Sequence, residues 1–407
     1  MKVLQVIPSV SVVHGGPSRA IVDIERALAA RGIVVTTVTT NDDGDGSTLP
    51  VKCGMPIVLP DATRWYFPRS SVFYKPSIVL GLWLKENIGA FDIVHAHGLF
   101  SFAPIAAAIV ARRARVPYVL RPLGALHRYG MTRHRPLLKK ISFALLERSL
   151  IETASAIHFT SRAEQSEAEL LKLRCKGVVI PLGIDVDGVS PQAAGGRRNR
   201  DERFNLLFLS RIDPKKNLEG LLRAFALVRR RHPSLVLDIG GDGDPDYIRE
   251  LRALVECLHI SDHVRWHGYV EGQIKADILA SANAFVLPSY SENFGIAVVE
   301  ALAAGLPCVV SREVAVSDEI ERARAGVVVD TGFESIAAGI EQLLSDETGY
   351  PSMSVAARKL ATRAFSLSAM GERLEMLYRD CCMASRAGAG PCPTPSRWLY
   401  RTPGDRH

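Results

Sequence analysis

FNLLFLSRIDPKKNLEGLLRAFALVRRRHPSLVLDIGGDG, residues 204–243, decides the fold. Phe204–Ser210 is a mostly apolar run and reads as a buried strand. Asn217–Arg231 carries its apolar residues at helical spacing, and Leu235–Gly240 reads as a second strand. A strand, a helix and a strand in so short a span form a crossover unit. Its strands are parallel, and helices cover the sheet.

The alternation continues on both sides. Downstream, Val264–His267, Ala284–Leu287, Pro307–Val310 and Gly326–Val329 read as strands. Tyr247–Cys257, Gln273–Ala280, Gly295–Ala304 and Ser335–Leu344 read as helices. Upstream, the strands are Lys2–Ile7, Ile33–Thr39, Asp92–Ala96, Pro117–Arg121, Ser155–Thr160 and Gly177–Ile180. The helices there are Pro17–Arg31, Phe102–Ala114, Pro136–Glu152 and Ser161–Leu173. Residues 186–203 are polar and Gly-rich and read as a linker. The expectation is an α/β chain of two doubly wound, Rossmann-like domains, 1–185 and 204–365. They should hold a ligand in a cleft between them, outside the carboxyl ends of the strands. Residues 383–407, rich in Pro, Gly, Ser and Arg, read as a disordered tail.

Composition narrows the function. Among 407 residues, 47% are hydrophobic and 23% charged, which excludes a mostly disordered chain. No apolar run approaches the ~18 residues of a membrane span, and the apolar start reads as a buried strand rather than a signal peptide. The 7 cysteines (Cys53, Cys175, Cys257, Cys308, Cys381, Cys382, Cys392) are scattered without C-x-x-C, which fits a reducing cytoplasm and no zinc site. The net charge of +7 permits an acidic partner. Arg112 to Arg148 holds ten basic residues (Arg112, Arg113, Arg115, Arg121, Arg128, Arg133, Arg135, Lys139, Lys140, Arg148) against the single acid Glu147.

No P-loop and no G-x-G-x-x-G is present. Gly15 and Gly16 precede Pro17 at a helix start, where backbone N–H groups can meet an anion. Arg211 ends the first strand of the second domain, and Lys216 precedes the next helix. A guanidinium fork and a flexible ammonium together suit a diphosphate. PSYSENFGIAVVEALAAGLP, residues 288–307, places Glu292 in a loop and Glu300 in an apolar helix. A carboxylate in such surroundings is paired or engaged with a ligand, and two vicinal ribose hydroxyls match its two oxygens. D-x-D at Asp43–Asp45, Asp185–Asp187 and Asp242–Asp244 falls in Gly-bearing turns, so no metal is expected.

E-x7-E at Glu292 and Glu300, R-x4-K at Arg211 and Lys216, Gly15–Gly16, D-I-V-H-A-H at Asp92–His97, I-G-G-D-G at Ile239–Gly243 and the strand end Trp266–Gly268 together resemble the family 4 retaining glycosyltransferases over roughly residues 1–382. The resemblance implies the GT-B architecture and a UDP- or GDP-sugar donor held mainly by the second domain. It also implies a glycan or lipid-linked acceptor held by the first, and a helix at 366–382 crossing back. Glu300 would then hold the ribose, while Glu292 and the backbone of Asn293, Phe294, Gly295 and Ile296 meet sugar and phosphates. Arg211 and Lys216 would neutralise the leaving diphosphate, Gly16 would let it approach, and Gly268 to Val270 would lie beside the base. Many relatives carry a histidine where this chain has Leu123. His97, Arg121 and His127 are the candidate substitutes, with His97 placed among the catalytic residues.

This reading makes the chain a cytoplasmic, peripherally membrane-bound transferase of surface-polysaccharide synthesis. A sugar-nucleotide 2-epimerase shares the architecture, but E-x7-E with R-x4-K speaks against it. A nucleic-acid binder would need aromatics interleaved in the basic stretch, which holds only Tyr118, Tyr129 and Phe143.

Overall fold

A computed structural model describes residues 1–44, 46–71, 74, 76–126, 141–189, 203–346 and 348–387. The chain divides into two units, 1–183 with 367–407, and 184–366.

The first unit is built on β1 (Lys2–Val6), β2 (Val34–Thr40), β3 (Pro56–Val58), β4 (Thr63–Phe67), β5 (Ile93–His97), β6 (Tyr118–Arg121), β7 (Ala156–Phe159) and β8 (Gly177–Val179). They form an 8-stranded sheet in the order β3-β4-β2-β1-β5-β6-β7-β8. Every pairing is parallel except β3 against β4. Buried Leu4, Val6, Val94, Leu120, Ile157 and Phe159 contribute to its core. β3 and β4 have no counterpart among the strands read from sequence. β3 is only three residues long, while β4 opens with the polar Thr63 and Arg64, the latter in an ion pair with buried Glu25.

The second unit holds β9 (Phe204–Leu209), β10 (Leu235–Gly240), β11 (Val264–Gly268), β12 (Ala284–Leu287), β13 (Cys308–Ser311) and β14 (Gly326–Val329). This 6-stranded sheet has the order β11-β10-β9-β12-β13-β14 and parallel pairing throughout. Strand order therefore reverses beside β9. In such sheets ligands sit outside the carboxyl ends of the strands at that reversal. The loops carrying Arg211 and Glu292 follow β9 and β12, the two strands that meet there.

Three expectations are corrected. The C-terminal helix runs Leu367–Arg386, one turn past the expected end, because Met383, Ala384 and Arg386 are good helix formers ahead of the Gly- and Pro-rich tail. The rest of that tail, 388–407, lies outside the described residues, as do 190–202 of the expected linker and Asp45, His127 and Cys392. The helix expected at Pro136–Glu152 contains a π-helical turn at Phe143–Glu147 before Arg148–Thr153, and 136–140 lie outside the described residues. Glu147 is buried in that turn, accepting from Tyr74 Oη at 2.8 Å and from Ser142 Oγ. The single acid of the basic stretch therefore faces the interior. Arg121, counted with the basic face, is also interior and 2% exposed, because it ends a central strand in register with His97. Arg128, Arg133, Arg135, Lys139 and Lys140 lie outside the described residues.

Candidate functional site

The second unit supplies a loop that is locked before any ligand arrives. Asp213 Oδ1 accepts from Lys215 N at 3.0 Å and caps the single turn Pro214–Lys216. Asn217 then takes a left-handed conformation and is buried. Its Nδ2 donates to the carbonyls of Pro288 (3.1 Å) and Thr331 (2.8 Å). Tyr290 N donates to Lys215 O at 2.8 Å. The loops after β9 and β12 are thus tied together, and Lys216 Nζ forms an ion pair with Glu292 Oε2. Arg211 beside them is exposed.

Arg211 has its own support. Ile212 N donates to Asp242 O at 2.8 Å, and Ser210 N to Gly240 O at 3.1 Å. A Cβ at Gly241 would sit 1.8 Å from Ser210 O, so only glycine lets the I-G-G-D-G loop lie this close.

Glu292 is held by its main chain: its N donates to Glu313 O, and Ala315 N donates to its carbonyl, both at 3.0 Å. Phe294 is buried edge-on against Phe365, with ring centroids 5.8 Å apart, whereas Asn293 is exposed. Gly295 turns the chain at φ 85° into the helix Ile296–Ala303, a conformation that a side chain would strain. The first N–H groups of that helix have no partner within it and favour an anion. Glu300, one turn further, is 5% exposed and accepts from Lys275 Nζ at 2.7 Å. Lys275 lies on the helix Gly272–Ser281, and the sequence reading missed it because 25 residues separate it from Glu300. Gly268 ends β11, where its carbonyl accepts from Gly241 N at 2.7 Å.

The first unit contributes separately. A 3-10 turn, Val12–His14, ends at Gly15, and Gly16 opens the helix Gly16–Ala29. His97 is wholly buried rather than on an open surface. Its Nε2 meets Gln5 Oε1 at 2.6 Å, and its ring lies 4.2 Å from that of His95. Burial, with Arg121 and His158 nearby, holds the imidazole of His97 well below its ordinary pKa. Burial also pulls Arg121 down to about 10. Leu123 sits half-buried at φ 58°, a conformation leucine rarely adopts.

Of the D-x-D carboxylates, Asp43, Asp185, Asp242 and Asp244 make local hydrogen bonds, and Asp42 precedes the first of these motifs. Asp42 faces His14 (2.7 Å) and Arg69 (3.2 Å), and Asp43 accepts from Ser11. Asp185 accepts from Gly188 N, Asp242 from Gly243 N, and Asp244 caps the helix Pro245–Cys257. Among the described residues, no group of three or more His, Cys, Asp or Glu side chains could hold a metal ion.

Two parallel-sheet domains, one of them with a cationic loop and a carboxylate-bearing helix at its strand-order reversal, define the GT-B class. Sucrose-phosphate synthase from Thermosynechococcus elongatus has the same fold, with a TM-score of 0.71 at 20% identity over 94% of this chain and 100% of that one. The family profile for glycosyl transferases group 1 matches residues 194–360, and that for the glycosyl transferase 4-like domain matches residues 15–183. The chain belongs to this family of glycosyltransferases. It is 30% identical to the GDP-mannose-dependent alpha-(1-6)-phosphatidylinositol monomannoside mannosyltransferase of Mycolicibacterium smegmatis, over 49% of this chain and 55% of that protein. It is 24% identical to the D-inositol 3-phosphate glycosyltransferase of Corynebacterium diphtheriae, over 91% and 90%. The chain spans about half the length of the mannosyltransferase it matches.

Proposed function

We propose that the chain transfers a sugar, with retention at the anomeric carbon, from a UDP- or GDP-sugar to a glycan or lipid-linked acceptor in surface-polysaccharide synthesis. The Lys216–Glu292 ion pair carries the reading. It sets a cation for the diphosphate against a carboxylate for the sugar, across two loops already tied together.

Arg211 and Lys216 neutralise charge as the bond from the anomeric carbon to the diphosphate oxygen breaks. The acceptor hydroxyl attacks from the same face, a new carbon–oxygen bond forms, and its proton passes to the departing diphosphate. No protein nucleophile is needed, and stabilisation of the leaving anion does the catalytic work. Glu300 accepts from the ribose hydroxyls, with Lys275 holding its carboxylate in place beforehand. Asn293, Phe294, Gly295 and Ile296 offer backbone to the donor, with Gly268 beside its base; in the first unit, Gly15 and Gly16 leave the helix start open to an anion.

The test is a thermal-shift screen of UDP-, GDP- and ADP-sugars, followed by acceptor trials and NMR of the product anomer. An inverted product overturns retention, and interconversion of the donor sugar without acceptor favours the epimerase.

Attachment to the inner face of the membrane is the second part of the proposal, and exposed apolar side chains support it. Ile78, Val79 and Leu82 on the helix Ile78–Asn87 are exposed, as are Ile141, Leu145 and Leu146 near the exposed Arg148 in sequence; Arg112, Arg113 and Arg115 are exposed as well. No helix among the described residues is long and apolar enough to cross a membrane.

A further inference from the structure

Across one face of the first sheet, Gln5 on β1, His95 and His97 on β5, Arg121 on β6 and His158 on β7 form a buried polar row. Gln5 is in register with His95, and His97 with Arg121. Tyr378, from the C-terminal helix Leu367–Arg386, is buried against this row. Its ring meets that of His95 edge-on at 5.8 Å.

The hydrogen bonds of this row can run in only one direction while the histidines are neutral. His158 Nε2 lies 2.8 Å from the carbonyl of Ile180, so that nitrogen carries the proton and Nδ1 is bare. His95 Nε2, 3.3 Å from His158 Nδ1, must then donate, which leaves His95 Nδ1 bare. Tyr378 Oη, 2.7 Å away, gives its only proton to His95 Nδ1. Tyr378 can therefore only accept from Gln5, whose Nε2 lies at 3.2 Å. This sets the amide orientation and turns Gln5 Oε1 toward His97 Nε2 at 2.6 Å. His97 donates there, and its Nδ1 is bare. Among the described residues that Nδ1 has no hydrogen-bond partner, nor do Arg121 Nε and Nη1 on the neighbouring strand. Burial depresses all three imidazoles, which keeps them neutral. The charged groups facing them are Arg121 and, beyond it, Glu164.

We propose that Tyr378 is a positioning residue that fixes, through Gln5, the tautomer in which His97 keeps a bare Nδ1 as a hydrogen-bond acceptor at the carboxyl end of β5. The C-terminal helix thereby reaches this polar row through the Tyr378 hydroxyl. His97 can accept from an O–H at that nitrogen but cannot donate to it, while Arg121 beside it can only donate. A donor and an acceptor so arranged match one alcohol group. Only this kinetic consequence rests on the proposed transferase activity; the tautomer does not.

The test is NMR of the full chain with 15N-labelled histidine, the His97 signals being assigned by their loss in His97→Gln. The wild type should show His97 protonated at Nε2 and bare at Nδ1. Tyr378→Phe keeps the ring and removes the hydroxyl, so Gln5 is free to turn and His97 should populate the other tautomer. Gln5→Met breaks the same link from the other side and should do likewise. A displaced group near the reacting atoms costs up to ~10²-fold, and the loss should fall on kcat with the donor KM within about twofold. A wild-type His97 protonated at Nδ1 overturns the proposal, as does a tautomer unchanged in both variants. A purely structural role would lower the melting temperature of the variants and leave the tautomer in place. If the tautomer behaves as stated but the wild type transfers no sugar, it is the transferase reading that has failed.

Discussion

Lys216 and Glu292 stand 76 residues apart in the chain and form an ion pair across the loops that follow β9 and β12. The pair sits where the second sheet reverses its strand order. Under the proposed function, a diphosphate engages Lys216 and hydroxyls of the donor sugar donate to Glu292.

Arg211→Ala and Lys216→Ala should each cripple transfer with the fold intact. Removing one donor to a developing anion costs ~10²–10³ in turnover. Steady-state kinetics on variants with wild-type melting curves checks this, and wild-type turnover in both would dismiss the assignment.

Glu300→Gln should weaken binding of the free nucleoside diphosphate about tenfold. An amide accepts through one oxygen only, and a hydrogen bond to a charged group contributes roughly 1.5–3 kcal/mol. Calorimetry reads this directly; an unchanged dissociation constant removes Glu300 from the ribose site.

Transfer should survive excess EDTA, because Arg211 and Lys216 supply the positive charge that a metal would bring to the diphosphate. Loss of activity restored by Mg²⁺ or Mn²⁺ alone would overturn this.

Stability should fall as pH drops below 6.5. Burial, with charged and imidazole neighbours, holds His95 and His97 well below 6.5 and His158 at about 3. The unfolded chain takes up protons that the folded chain refuses. The stability these groups contribute is thus complete above 6.5 and is lost as pH falls, for His158 until about 3. Each contributes up to ~1.4 kcal/mol per pH unit in that range. Melts between pH 7.5 and 5 keep most carboxylates out of play. A melting temperature that does not fall toward pH 5 contradicts the buried-neutral assignment.

Anionic vesicles should sediment the protein, zwitterionic ones should not, and high salt should reverse the binding. Basic residues near an anionic leaflet contribute about 1 kcal/mol each. Reversing the charge of Arg133, Arg135, Lys139 and Lys140 should therefore release the protein. Equal partitioning onto both vesicle types, or none at low salt, refutes the surface.

Periodicity and spacing made much of the molecule legible. Leu235–Gly240, Ala284–Leu287 and Gly326–Val329 are strands at the residues read from sequence. Buried parallel strands are short continuous apolar runs, and helices of different period separate them. The sequence also placed Arg211, Lys216 and Glu292 in loops that follow strands and Glu300 within an apolar helix, because such positions are local. What tertiary structure alone decided are the relationships between side chains far apart in the chain. Lys275 reaches Glu300, Asn217 ties the loop after β9 to that after β12, and Tyr378 reaches Gln5 and His95. Arg121 shows the difference most plainly. In the sequence it is one of ten basic residues between Arg112 and Arg148, whereas in the fold it ends a strand inside the sheet, 2% exposed. Local spacing sets which element a residue joins, but burial depends on which strands become neighbours, and parallel neighbours are joined by long crossovers that no local pattern records.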